Sequence, residues 1–345
     1  MTSCLTRRTL LAGIGATLAR PTRATVAPQL QAQGSQLLFD GRPVVLRGVA
    51  PGDPLLGRAE RPTDDYARIA QEWNANVVRL SVHPGAWKRQ PAAVLAKLDR
   101  DVAAALAAGM FVIVDWHVVG WPDGWYSIPN PEQGQPDDLY DPSVALARDF
   151  WEAMAGRYGA DGRIVFELWN EPNYALTGER DPSGRWQMLK PVFTLLIDTI
   201  RRRSGNLVLA TNDQWGYDLR GIRQSPLADG NIGYAWHIYA NHDGNDPQRW
   251  AEKLDALHEV APVLVSEWGF GPAPGIHYDG TADSFGVPFA RFMSERQLHH
   301  TAWCWHPYWG PPMLLADWHG TTAYGAFVKD LLNSYGTVER PSRRR

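Results

Sequence analysis

Two glutamates stand where a run of apolar residues stops. Phe166-Glu167-Leu168-Trp169-Asn170-Glu171-Pro172 and Val263-Leu264-Val265-Ser266-Glu267-Trp268-Gly269 each read as a short strand covered on both faces and ending in a carboxylate. Polar groups at the C-terminal ends of such strands are where a (β/α)8 barrel carries its chemistry. Glu171 and Glu267 are 96 positions apart, so only the fold can bring them together. Two carboxylates delivered in this way suit cleavage of a glycosidic bond with retention, one as acid/base and one as nucleophile. Taken singly, each has a simpler reading as a strand cap or the partner of an arginine.

Further polar residues fall at matching positions. Arg79 follows Val77-Val78, Asp115 and His117 follow Val112-Ile113-Val114, and Asn170 precedes Glu171. His237 and Tyr239 end another run, and Trp305 and His306 end the last. A lone histidine at a strand end is more often structural, and an acid at the position of Asp115 is more often buried structure. Convergence on one rim is the argument, because the eight loops at the C-terminal end of a barrel share a face.

The elements that must position these residues alternate. Apolar runs at 44–49, 77–82, 111–115, 164–169, 207–210, 232–237, 263–266 and 301–305 predict eight strands. Residues 36–39 precede Asp40-Gly41, a two-residue hairpin signal, and pair with 44–49. Helical patterns fill 64–75, 91–108, 141–158, 186–204, 247–260, 283–298 and 323–332, with none clear between 207 and 232. No glycine-rich dinucleotide turn follows the first barrel strand, which favours closure over an open sheet. The expected fold is α/β: a (β/α)8 TIM barrel with an N-terminal β-hairpin, in one domain over 28–338.

Residues 1–27 read as an export signal and not as part of the fold. Arg7-Arg8 precedes an apolar stretch and then small residues, with cleavage expected near Ala24 or Ala27. The paired arginines point to the bacterial twin-arginine route, and so to a periplasmic or extracellular protein. Cys4 leaves with the signal, so Cys304 alone remains and no disulfide forms within the mature chain. Loss of residues 1–24 lowers Lys+Arg from 34 to 30 against 37 Asp+Glu, a formal charge of −7. Such a surface disfavours nucleic acid and anionic membranes. Residues 339–345 read as a solvated basic tail. The apolar fraction of 44% supplies a sizeable core, and a monomer is expected.

The ordered motifs resemble glycoside hydrolase family 5, the cellulase-like retaining glycosidases of clan A. Carrying the resemblance are Arg79, His117 in Val114-Asp115-Trp116-His117, Asn170-Glu171-Pro172, His237-Ile238-Tyr239, Ser266-Glu267-Trp268-Gly269 and Trp305. It implies Glu171 as acid/base and Glu267 as nucleophile, with Arg79, His117, Asn170, His237, Tyr239 and Trp305 around the reacting sugar. Of the indoles in Trp303-Cys304-Trp305, Trp305 is the expected platform because it lies nearer the end of its run, with Trp303 the alternative.

All sixteen tryptophans lie beyond residue 70. Indole rings serve as flat platforms in carbohydrate clefts, and Trp121, Trp125, Trp215 and Trp309 sit on loops suited to that use; packing beneath the loop is the competing use. No Cys/His spacing of a zinc site is present, and His299-His300 falls near a predicted helix end, so no metal or cofactor is expected. The expected substrate is β-1,4-glucan cut internally. A β-mannanase, an exo-β-1,3-glucanase or an exported carbohydrate-binding protein without activity are the alternatives.

Overall fold

A computed structural model of the chain describes residues 1, 28–53, 55, 62, 64–124, 139–174, 181–242 and 245–341. Residues 2–27, Trp125 and Arg343-Arg344-Arg345 lie outside the described residues. Leu30–Gln33 (β1), Gln36–Phe39 (β2) and Arg42–Val44 (β3) form an antiparallel sheet in that order. Asp40 and Gly41, at φ 53° and 72°, take the left-handed backbone that a tight two-residue hairpin demands. The run at 44–49 is divided, contrary to expectation: Val44 ends β3, and the first barrel strand is Arg47–Gly52 (β4). At four residues, β1 is too short for its Leu-Gln-Ala-Gln alternation to have marked it.

Eight parallel strands close the barrel. They are β4, Val77–Val82 (β5), Phe111–Trp116 (β6), Ile164–Glu167 (β7), Val208–Ala210 (β8), Ile232–Tyr239 (β9), Val263–Gly269 (β10) and His299–Trp303 (β11). Around them lie Asp65–Gln71 (α1), Pro84–Arg89 (α2), Pro91–Ala107 (α3), Val144–Tyr158 (α4), Pro182–Arg201 (α5), Pro247–Leu254 (α6), Val287–Glu295 (α7) and Ala323–Ser334 (α8). Helix α4 starts where Ser143 accepts from the Leu146 N–H, a side-chain cap. Only turns join β8 to β9. His299 and His300 lie within β11, which corrects their expected place at a helix end. Residues 339 and 340 are tied to the barrel: Asn76 Nδ2 donates to the Glu339 carbonyl, and Arg340 donates to that of Ala70.

Strand alternation builds both the core and the site. Val77, Ile113, Val165 and Leu209 point into the barrel and meet Leu30, Leu37 and Val44 of the hairpin sheet, which closes the bottom. Val78, Leu80, Val112, Val114 and Phe166 point outward and join the larger core beneath the helices. A period of two then lifts Arg79 above Val77, Asp115 above Ile113 and Glu167 above Val165, inside the barrel near its C-terminal end. Gly48 admits no side chain, since a Cβ there would stand 1.8 Å from the Val77 carbonyl oxygen.

Candidate active site

Arg79 is fully buried at the centre of a ring of acids. Its Nε and Nη2 donate to Glu167 at 2.6 and 3.1 Å, and its Nη1 donates to Glu267 Oε1 at 2.8 Å. Nη2 also donates to Asn170 Oδ1 at 2.7 Å and lies 3.0 Å from Asp115 Oδ2. Since only the amide oxygen can accept from Arg79, the Asn170 NH2 is left as a donor towards the cleft.

Glu267 is placed by a bulge. Val265 pairs with Trp236 and Glu267 with His237, so Ser266 is an extra residue on β10. A bulge lets two successive side chains serve one face. Ser266 Oγ contacts His237 Nε2 at 3.0 Å, while Glu267 Oε2 accepts from the Tyr239 hydroxyl at 2.8 Å. Glu171 lies beyond β7, where its N–H donates to the Val118 carbonyl and its own carbonyl accepts from Gly120 N–H. Its Oε1 stands 3.0 Å from His237 Nδ1, and its side chain keeps 17% exposure. Oxygens of Glu171 and Glu267 and a His237 nitrogen all lie within 4.8 Å of one another.

The two carboxyls have opposed proton affinities. Burial pushes Glu267 up, but the charges of His237 and Arg79 and the Tyr239 hydroxyl outweigh it and hold the group at about 2. Burial lifts Glu171 and the Glu267 charge adds to it, so Glu171 lies above the ordinary glutamate value despite its His237 contact. His237 is raised because the two glutamates overcome its burial. Glu171, His237 and Glu267 are also the group among the described residues whose spacing would suit a metal ion. Their donor atoms are engaged with one another and with Ser266, Tyr239 and Arg79, and a cation there would face the guanidinium.

The aromatic walls divide. Trp303 stacks on His117 (5.2 Å, 9°) and lies near-parallel to Trp309 (6.1 Å, 18°), with 9% of its surface exposed. Trp305 has none exposed and packs edge-on against Trp73 at 4.4 Å with Arg68 beside it. The expectation for Trp305 is therefore corrected: β11 ends at Trp303, and Trp305 turns into the core, leaving Trp303 beside the acids. Trp309 is half-buried, its ring seated on Gly52, where φ is +77° and a Cβ would come within 2.4 Å of it. Trp121 is half-buried edge-on to Tyr174, over which the Arg185 guanidinium lies at 3.5 Å. Half-buried Trp215 stands near Glu171, its backbone N–H donating to the Pro172 carbonyl.

A model of the cellulase family, glycosyl hydrolase family 5, matches residues 38–308. The chain belongs to this family. Among its relatives is Endoglucanase N of Pectobacterium atrosepticum, 29% identical over 253 residues, 72% of this chain and 51% of that protein. An endoglucanase of Clostridium saccharobutylicum is 26% identical over 280 residues, 80% of this chain and 56% of that protein. The chain thus spans about half the length of the curated relatives it matches. A β-glucanase of Saccharophagus degradans, solved in complex with cellotetraose, superposes with a TM-score of 0.79 at 26% identity, covering 92% of this chain and 98% of that one.

Four polar residues beside this family 5 site carry no role from the sequence motifs. Glu167 makes the two-pronged contact with Arg79, and the period-two rule could have found it, since it sits two residues after inward Val165. Ser266 was hidden because a bulge leaves no mark in the sequence. Asp53 and His83 follow β4 and β5, outside the motifs that carry the resemblance.

Proposed function

We propose that this family 5 protein is an endo-β-1,4-glucanase that cleaves by double displacement, with Glu171 as acid/base and Glu267 as nucleophile. The carrying observation is the carboxyl pair, whose oxygens approach within 4.8 Å while their proton affinities are driven apart. Retaining enzymes keep the two carboxyls ~5–5.5 Å apart, and inverting ones ~6.5–9.5 Å to admit water between. Opposed pKa values in one pair divide the roles of acid and nucleophile.

In the first step ionised Glu267 bonds to the anomeric carbon as the bond to the leaving oxygen breaks. Glu171 gives that oxygen its proton. In the second, Glu171 takes a proton from water, the water oxygen attacks the same carbon, and the bond to Glu267 breaks. Asn170 offers its NH2 to the sugar 2-hydroxyl, a contact that strengthens as positive charge develops at the ring. His117, with Nδ1 held by Asp115 at 2.7 Å, presents its other nitrogen to the reacting sugar over Trp303. Tyr239 and Arg79 keep Glu267 ionised and aimed. Trp121, Trp215 and Trp309 serve as sugar platforms.

Export through the twin-arginine route and action as a monomer complete the reading, since an insoluble polymer must be met outside the cell. The cellotetraose in the solved β-glucanase supports a β-glucan substrate. Reducing-sugar release from β-1,4-glucan, β-1,3-glucan and β-mannan tests the assignment. Fastest release from mannan or β-1,3-glucan would replace it with the corresponding activity. Binding without release from any polymer would leave a carbohydrate-binding protein.

A further inference from the structure

We infer that His83, held by Asp53, is a specificity residue that reads a hydroxyl of the sugar adjoining the reacting one on its non-reducing side. The inference rests on the hydrolytic reading above and adds a recognition group to it.

The rim contains an Asp–His pair twice. His117 Nδ1 meets Asp115 at 2.7 Å, and His83 Nδ1 meets Asp53 Oδ2 at 2.8 Å. The two imidazoles touch edge to face, 4.7 Å apart. Asp53 is 4% exposed and also accepts from the backbone N–H groups of His83 and Leu55, at 3.1 and 2.7 Å. A carboxylate at Nδ1 fixes the proton on that nitrogen, so a neutral ring offers Nε2 as an acceptor. His83 Nε2 has no hydrogen-bond partner among the described residues, and 5% of the side chain stays exposed. A ring locked at one nitrogen and open at the other is arranged to accept a hydrogen bond from outside.

The direction follows from Glu171. An acid must stand beside the leaving oxygen, so Tyr174 and Trp215, which follow Glu171 and β8, border the leaving group. Strands β11, β4 and β5 are contiguous on the other part of the rim and carry Trp303, Trp309, Asp53 and His83. There Trp309 offers a flat face, with His83 at 6.3 Å and nearly perpendicular (77°). A β-linked glucose lying on that face would turn its equatorial hydroxyls outward, towards groups beside the platform. Tyr140, 5.3 Å from His83, supplies a second polar group at this edge.

The simpler reading is that Asp53 and His83 only tie the β4 loop to the start of α2. Aryl β-cellobioside and aryl β-glucoside with the same good leaving group separate the two, because only the cellobioside carries the adjoining sugar. His83→Phe keeps the ring and its packing but removes Nε2. We expect kcat/KM on the cellobioside to fall about five- to tenfold more than on the glucoside, the worth of one neutral hydrogen bond. Asp53→Asn, which lets the ring exchange its tautomer, should show the same selective loss. Equal losses on the two substrates, or no loss on the cellobioside, would overturn the inference. Wild-type protein that cleaves neither glycoside would instead sink the hydrolytic reading. Calorimetry of cellobiose binding, weakened by His83→Phe or not, then decides the role of His83.

Discussion

Arg79 Nη1 and Glu267 Oε1 lie 2.8 Å apart, and that one guanidinium also serves Glu167, Asp115 and Asn170. Three buried carboxylates exceed the charge of one arginine. Unpaired charge is expensive out of water, so burial raises the proton affinity of carboxylates that the arginine only partly offsets. Burial lifts Asp115 to about 6 even with Arg79 beside it, and burial likewise raises Glu167. Glu267 escapes because His237 and Tyr239 add to what Arg79 supplies. Glu267 stays ionised because these neighbours outweigh its burial.

The pH profile should register this arrangement. Glu267 must be ionised, and its value of about 2 places the acid limb of kcat/KM below the range of an ordinary glutamate. Glu171 must carry a proton, so activity falls as pH rises through its elevated value. Tyr239→Phe removes a donor to the charged form of Glu267 and should move the acid limb to higher pH. A profile whose acid limb is unmoved in Tyr239→Phe would remove the tyrosine from the account.

Replacing each glutamate should give different chemistry. Glu267→Ala stops formation of the glycosyl ester on every substrate. Glu171→Ala should still form it from substrates with very good leaving groups, and added azide should then restore turnover as the β-glycosyl azide. Any azide product from Glu267→Ala should be the α-anomer. NMR of the products checks this, and the same anomer from both variants would reverse the role assignment.

The neighbouring indoles Trp303 and Trp305 should separate activity from stability. Trp303→Ala removes a ring beside the acids and should cost about 1–3 kcal/mol of transition-state binding, by analogy with other stacking platforms. Trp305→Ala empties a fully buried site against Trp73 and should cost roughly 3–5 kcal/mol of folding stability. Urea unfolding and kcat/KM on cellotetraose are the two readouts. A stable Trp305→Ala enzyme with strongly reduced kcat/KM would return that ring to the cleft.

The contrast between these indoles shows where the sequence stops being readable. Apolar runs followed by acids mark barrel strands because period and burial are local properties, so Glu171 and Glu267 stand out from the residue order alone. The path of the chain after a strand is not local. Trp305 is nearer the end of its apolar run, yet the strand stops at Trp303 and the next turn carries Trp305 inward. The bulge at Ser266 and the pairing of Asp53 with His83 depend on register and on contacts between separate loops. Neither leaves a pattern in either segment alone.

His300 should make the fold sensitive to acid. Burial first, then Arg47 and His299, press its imidazole from 6.5 down to about 3. Between those values the unfolded chain takes up a proton that the folded chain refuses. Stability is therefore full above about 6.5 and is lost as pH falls towards 3. Neither ring nitrogen has a hydrogen-bond partner among the described residues, so His300→Leu sacrifices little, whereas His299 accepts from the Leu46 N–H. Urea unfolding at pH 7 and 4.5 should show the acid loss smaller by about 2–3 kcal/mol in His300→Leu. An unchanged difference would show that other groups govern acid unfolding.

Endo action depends on whether the walls meet. Trp121 follows β6 and Trp309 follows β11, three strands apart one way around the barrel and five the other. Trp121 rests on Tyr174, itself fixed under Arg185, while Trp309 rests on Gly52 and His306. Each ring is anchored on its own side, and no ring contact joins them among the described residues. An open groove between them would let a polymer lie across the acids and be cut internally. Viscosity of a soluble cellulose derivative should then fall well before reducing sugar accumulates. Trp121→Ala should cost about 1–3 kcal/mol on long oligosaccharides and progressively less on shorter ones, since a distal platform is reached only by longer chains. Slow thinning with monomer or dimer as the sole product would mean that the walls close into a pocket, and the enzyme would then be an exo-glucanase.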